Sequence, residues 1–319
     1  MLSSLLSILF TLLVIGFIVG NFANGFIALV NCVDWVKRQQ FSLLDQMLTA
    51  LAVSRIGLLW ITLTSWYGIA LDPALYSFEV RIIVHVLWTV THHFSLWFAT
   101  SLSIFYLLKL ANFSSLKFLY LKWRVKRVIH IILLGSFMVL VSHLALVSIS
   151  ENTLAEDYEG NTTWNSHLRH DVYLSNLIVF TLVNFIPFTL ALIALLLLSF
   201  SLWKHHRRMQ LGARGTQDPS TRVHVRALQT VVSFLLPFAC YILSLVISVW
   251  SSPNLRNKHT GLFCQFLGVL YPSSHSCILI WGNKKLKQAF VSFPRQLRCR
   301  QKERKRVGAL ASSCRKQIG

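Results

Sequence analysis

The chain has 319 residues, 54% of them hydrophobic and 13% charged, with 31 basic residues against 11 acidic ones. That length accommodates one seven-helix bundle with short connections and no additional soluble domain, so a single domain is expected. A net charge of +20 would suggest nucleic acid in a soluble protein. Here the basic residues follow the ends of apolar stretches, where anionic lipid and topology account for them.

Seven apolar stretches, at about 5–31, 44–66, 82–109, 127–149, 175–202, 228–250 and 260–283, each reach the roughly 20 residues that a spanning helix needs. They predict an all-α membrane protein, a seven-transmembrane-helix bundle over 1–283 followed by a basic tail over 284–319. With the amino terminus outside, only Arg81, Arg169, Arg256 and Lys258 fall in outer loops and Arg55 within a span; every other Lys and Arg lies inside. The positive-inside rule therefore predicts a cytoplasmic carboxyl terminus.

The first stretch has no basic residue before it, exceeds the core of a signal peptide, and is followed at once by Lys37 and Arg38, so it is expected to remain as the first span. In the second, Arg55 lies about ten residues in, roughly 15 Å along the axis. It must face the bundle interior, with Asn24, carbonyls freed near Pro272, and the Ser276 hydroxyl as expected partners. Such a hub is either an architectural clamp or part of a switch. Asp45, near the inner end of this span, is the only carboxylate expected inside any span.

In the third span His85, Trp88 and His92 follow the three-then-four spacing of one helix face. Trp88 alone would suit the interfacial aromatic belt, but a lipid-facing imidazole one turn deeper would be costly, so this face is expected to point inward. The adjacent His92 and His93 do not make a metal site: neighbours on a helix diverge by about 100°, and no acidic or cysteine partner recurs at helical spacing. No metal and no cofactor is expected.

Beyond the fourth span, the acidic outer loop near 150–174 holds the sequon Asn161-Thr162-Thr163, on the side where glycan is added. A second sequon at Asn112 lies inside and should stay bare. Pro187, Pro237 and Pro272 fall within the fifth, sixth and seventh spans, where each removes a backbone hydrogen bond and can kink its helix. None of the six cysteines (Cys32, Cys240, Cys264, Cys277, Cys299 and Cys314) can tie the third span to the second outer loop. Cys299 and Cys314, in the tail, are palmitoylation candidates. With so few carboxylates and no phosphate-binding glycine loop, the chain lacks the material of an enzyme site.

Six blocks carry a family resemblance: GNFANGFIALVN in the first span, LTALAVSRIGLLW in the second, SLSIFYLLKLANFSSLKFLYLKWRVKRV at the end of the third, PFTLALIALLLLSFSLWKHHRRMQ in the fifth, HVRALQTVVSFLL at the sixth, and YPSSHSCILIWGNKKLKQ at the seventh. Together they resemble the type 2 bitter taste receptor family over residues 1 to about 293. The rhodopsin-like acidic-Arg-Tyr and Asn-Pro-x-x-Tyr signatures are absent; Tyr106, Lys109 and Asn112 stand at the third-span end, and His275-Ser276 follows Pro272.

The resemblance implies a G-protein-coupled receptor for small bitter agonists, signalling through gustducin or another inhibitory-class G protein at the plasma membrane. It implies a ligand pocket at Trp88, His92, Tyr241 and Gln265. G-protein contacts are expected on the inner face, at Tyr106, Lys109, Lys122, Arg124, Lys204, Lys284 and Lys285. Pro237-Phe238 and the long basic tail depart from the family pattern. The alternatives are a vomeronasal-type pheromone receptor and, from another class, a small membrane transporter; the latter would require paired ionisable groups and internal symmetry, where this chain has a lone arginine and no repeat.

Overall fold

The computed structural model describes residues 2–38, 42–70, 77–111, 113–159, 166–212, 235–247 and 258–293. All regular structure among them is helical: α1 (Leu2–Arg38), α2 (Leu43–Ala70), α3 (Phe78–Leu110), α4 (Leu116–Trp123), α5 (Val125–Glu159), α6 (Ser166–Gly212), α7 (Leu235–Ile247), α8 (Lys258–Gly282) and α9 (284–293). Helices are the expected answer for apolar runs in lipid, because each backbone N–H and C=O must then find its partner within its own segment.

The seven predicted spans are α1, α2, α3, α5, α6, α7 and α8. Six are long and apolar enough to cross a bilayer, and α7 is the described part of the sixth stretch. Their outer faces are apolar as well: on α1, Ile18, Phe22 and Leu29 are 60%, 56% and 57% exposed. A soluble protein would not present such rows to water, but a lipid-facing helix must. The chain is a multi-pass membrane protein built as a seven-helix bundle.

Polar residues set several helix ends. Ser42 accepts the Asp45 backbone N–H and donates to its carboxylate, opening α2. Asn283 breaks the chain after α8 and its Oδ1 accepts the N–H groups of Lys285 and Leu286, starting α9. Inside, α1 approaches α8 closely. A Cβ on Gly20 would come within 2.9 Å of the Leu59 side chain and closer still to Ser273 Oγ, which donates to the Gly16 carbonyl at 2.8 Å. Glycine at 20 leaves the room in which the Ser273 and Leu59 side chains pack against α1.

The helices outrun the predicted spans. The outer loop expected near 150–174 is largely helical, since α5 runs to Glu159 and α6 starts at Ser166; α6 also continues to Gly212, into the expected inner loop. The inner connection before α5 carries the extra helix α4, and the expected basic tail begins as α9. Apolar runs mark where lipid ends, whereas Glu, Ala, Leu, Arg, Met and Gln let hydrogen bonding continue beyond it.

Candidate ligand site and polar hub

On α3, Trp88 is half-buried and His92 fully buried, with rings stacked at 4.8 Å and 5° from parallel. That spacing leaves no room for a third ring between them, so a ligand can meet only the outer face and edges of Trp88. Phe180 on α6 lies 6.2 Å from Trp88. His85 is exposed, so the predicted inward face of α3 begins at Trp88 rather than one turn earlier.

The hydrogen bonds of His92 fix its tautomer. Asn184 on α6 donates its Nδ2 to the Phe180 carbonyl, which turns its Oδ1 toward His92 Nε2 at 2.6 Å. An amide oxygen only accepts, so Nε2 carries the proton and Nδ1 is left as an acceptor. The Tyr241 hydroxyl, on α7, donates to that Nδ1 at 2.7 Å. The His92 imidazole thus ties α3 to α6 and α7 at once. Thr100, two turns along α3, adds a hydroxyl bond to the Pro187 carbonyl of α6 at 3.0 Å.

Tyr241 stacks on Tyr271 of α8, and Tyr271 stacks in turn on His275 at 5.8 Å and lies under the Arg55 guanidinium at 5.2 Å. Arg55 is wholly buried. It donates from Nη1 to Ser276 Oγ at 3.0 Å and from Nη2 to His275 Nδ1. Ser276 passes the polarity on, bonding to Asn24 Oδ1 at 2.7 Å or to the Pro272 carbonyl at 2.8 Å, while Asn24 Nδ2 donates to the Gly20 carbonyl. Among the described residues no carboxylate takes part. The charge is held by a ring nitrogen, a hydroxyl and an aromatic face, which a dry interior makes electrostatically strong.

Of the partners expected for Arg55, Ser276 bonds it directly and Asn24 joins only through Ser276, while the freed carbonyl gives way to a residue not expected there, His275. The carbonyl released by Pro272 is that of Gly268, four residues earlier; Arg55 takes the His275 ring in its place. Pro187 and Pro272 lie within α6 and α8, and Pro237 in the first turn of the described part of α7. Gln265 is half-buried on α8, and its Oε1 is enclosed with no hydrogen-bond partner among the described residues.

The expected G-protein-facing residues divide. Lys109, Lys204 and Lys284 are exposed, and Tyr106 packs half-buried between two apolar clusters. Lys122 donates to the Ala111 carbonyl at 3.1 Å, and Arg124 lies over the Tyr120 ring. Lys285 is engaged inside the protein, 2.9 Å from both Asp34 of α1 and Asp45 of α2. Partial burial works against its charge, but the hydrogen bonds and charges of the two carboxylates outweigh that and raise its pKa. Asn161, Asn112, Cys299 and Cys314 lie outside the described residues. Asn184, Tyr271 and Asp34 were not singled out from the sequence; the available signals were Asn184 one turn before Pro187 and Tyr271 one turn before His275.

The sequence profile of the family described as taste receptor protein (TAS2R) matches residues 1–298. Taste receptor type 2 member 46 of Pan paniscus is 57% identical over 288 residues, 90% of this chain and 93% of that protein. Member 31 of Pan troglodytes is equally similar over the same shares, and member 46 of Homo sapiens is 56% identical over 288 residues. The chain therefore belongs to the type 2 taste receptor family, the bitter taste receptors that its six sequence blocks resemble.

Proposed function

We propose that this receptor sits in the plasma membrane with its amino terminus outside and the basic segment 284–319 in the cytoplasm, and that it binds bitter small molecules against Trp88, His92, Tyr241 and Gln265. Binding activates a heterotrimeric G protein of the gustducin or inhibitory class, docked on the inner ends near Tyr106, Lys109, Lys122, Arg124, Lys204 and Lys284. Lys285, with two carboxylates already on it, contributes by holding α9 in place.

The reading rests on one observation above all: side-chain contacts run without a break from Trp88 through His92, Tyr241 and Tyr271 to Arg55, across α3, α7, α8 and α2. A ligand shifts a receptor's population only by binding the active arrangement more tightly than the resting one. Contact with Trp88 bears on His92, whose bond to Tyr241 holds α7. If α7 shifts, Tyr271 and the guanidinium over it must repack, and a packed interior repacks between discrete arrangements.

The functional test is a panel of bitter compounds applied to cells that carry a gustducin chimera, with calcium as the readout. A response that requires both receptor and G protein is expected; silence toward every compound despite surface staining would contradict the proposal. Orientation is tested separately. Glycosidase should raise the gel mobility of the wild type and leave Asn161→Gln unchanged, and a shift that survives the substitution would reverse the assigned topology.

A further inference from the structure

At the end of the bundle where α8 gives way to α9, a groove of about 810 Å³ opens between α1 and α9. Its floor is apolar: Phe26, Val30 and Val33 come from one face of α1 and Phe293 from α9. Its rim is basic, with Lys37 on the last turn of α1 and Lys284 on the first turn of α9, both exposed. Lys285, between them, is already matched by Asp34 and Asp45, whereas among the described residues neither Lys37 nor Lys284 has an ion-pair partner.

We propose that this groove seats one anionic diacyl phospholipid, its phosphate between Lys37 and Lys284 and an acyl chain along Phe26, Val30 and Val33. The site lies apart from the bitter-ligand residues and rests on the membrane-spanning reading, not on the identity of any agonist. Charge selects the occupant. The segment 294–319 carries nine Lys and Arg against Glu303 alone, so it would be repelled by the same rim, while an anionic headgroup is attracted and brings the apolar chain that the floor requires. The Lys285 pair gives the site a purpose: by fixing α9 to α1 and α2 it holds the two rim lysines at a set separation, and a bound lipid would brace α9 from its outer side.

The test is native mass spectrometry of the full chain released from nanodiscs of phosphatidylcholine and phosphatidylserine. Wild type should retain one phosphatidylserine, and K37Q/K284Q should hold it about thirty-fold more weakly, as expected for two basic side chains at an anionic surface. K117Q/K126Q, which removes equal charge from α4 and α5, should keep it, as should a chain ending at Phe293. Val33→Trp, which fills the floor and leaves the charge alone, should lose it. Equal retention by wild type and K37Q/K284Q, equal loss in K117Q/K126Q, loss on truncation, or retention in Val33→Trp would each overturn the proposal.

Discussion

Tyr241 of α7 and Tyr271 of α8 stack with ring centroids 4.9 Å apart and planes 17° from parallel, and this one contact connects the His92 hydrogen-bond group to the Arg55 hub. On one side the Tyr241 hydroxyl is committed to His92; on the other the Tyr271 ring supports a buried guanidinium. Phe238 also stacks on Tyr271, at 5.1 Å, and is fully buried. Phe238, next to Pro237, thus places a large ring between α7 and α8. The proposed relay needs such contacts between helices, and here they join α3 to α7, α7 to α8 and α8 to α2.

Trp88→Ala removes the aromatic surface nearest the proposed ligand and also strips the stack from His92. Truncating a binding anchor of this kind typically costs about 2 kcal/mol or more, or about thirty-fold in affinity. Agonist EC50 values should rise by that order while surface staining persists. Unchanged potency toward all agonists would place Trp88 in the lipid belt.

Gln265 presents an enclosed amide oxygen with no protein partner among the described residues, so a ligand donor is its natural complement. Gln265→Glu offers a carboxylate there, and charge-assisted hydrogen bonds are about twice as strong as neutral ones. Protonated amines should gain potency relative to neutral lactones in paired dose-response series normalised to surface expression. Equal shifts for both classes would remove Gln265 from the ligand site; repeating the series at higher pH excludes a protonated new acid.

Arg55→Ala leaves Ser276 and His275 without their shared donor in a dry core, a loss of about 1–3 kcal/mol. Surface expression, or the response to every agonist alike, should fall. Full expression with normal potency across chemically distinct agonists would show that the hub is dispensable.

A polar group of Arg55, Ser276 and Asn24 is legible in the sequence because a charge at mid-span, with no carboxylate in reach, must be solvated by whatever polar groups face it. Asn24 and Ser276 were the polar side chains available on neighbouring spans. Which group took the second guanidinium nitrogen was not legible: His275 wins over the carbonyl freed by Pro272 through the rotation of α8 about its own axis. The sequence does not show Asn184 for the same reason, since its bond to His92 depends on how α6 is turned toward α3. The bundle itself followed from hydrophobic length alone. The ends of α5 and α6, the short α4 and the turn at Asn283 did not, because polar residues beyond the bilayer support either helix or loop.

Tyr271→Leu tests the relay most directly, since it keeps an apolar side chain at the position while removing the ring stacks on Tyr241, His275 and Phe238 and the aromatic face under Arg55. Each ring pair contributes about 0.5–1.5 kcal/mol, so the three stacks together are worth at least about 1.5 kcal/mol, or about tenfold or more in the balance between resting and active arrangements. The measurement is agonist binding to the purified variant alongside G-protein activation at matched surface density. The account predicts agonist binding weakened by no more than that shift in the balance, because Trp88, His92, Tyr241 and Gln265 are not substituted, and activation at saturating agonist reduced by about tenfold or more. Activation equal to wild type at equal occupancy would contradict it, and the signal would then have to leave the ligand site by another route.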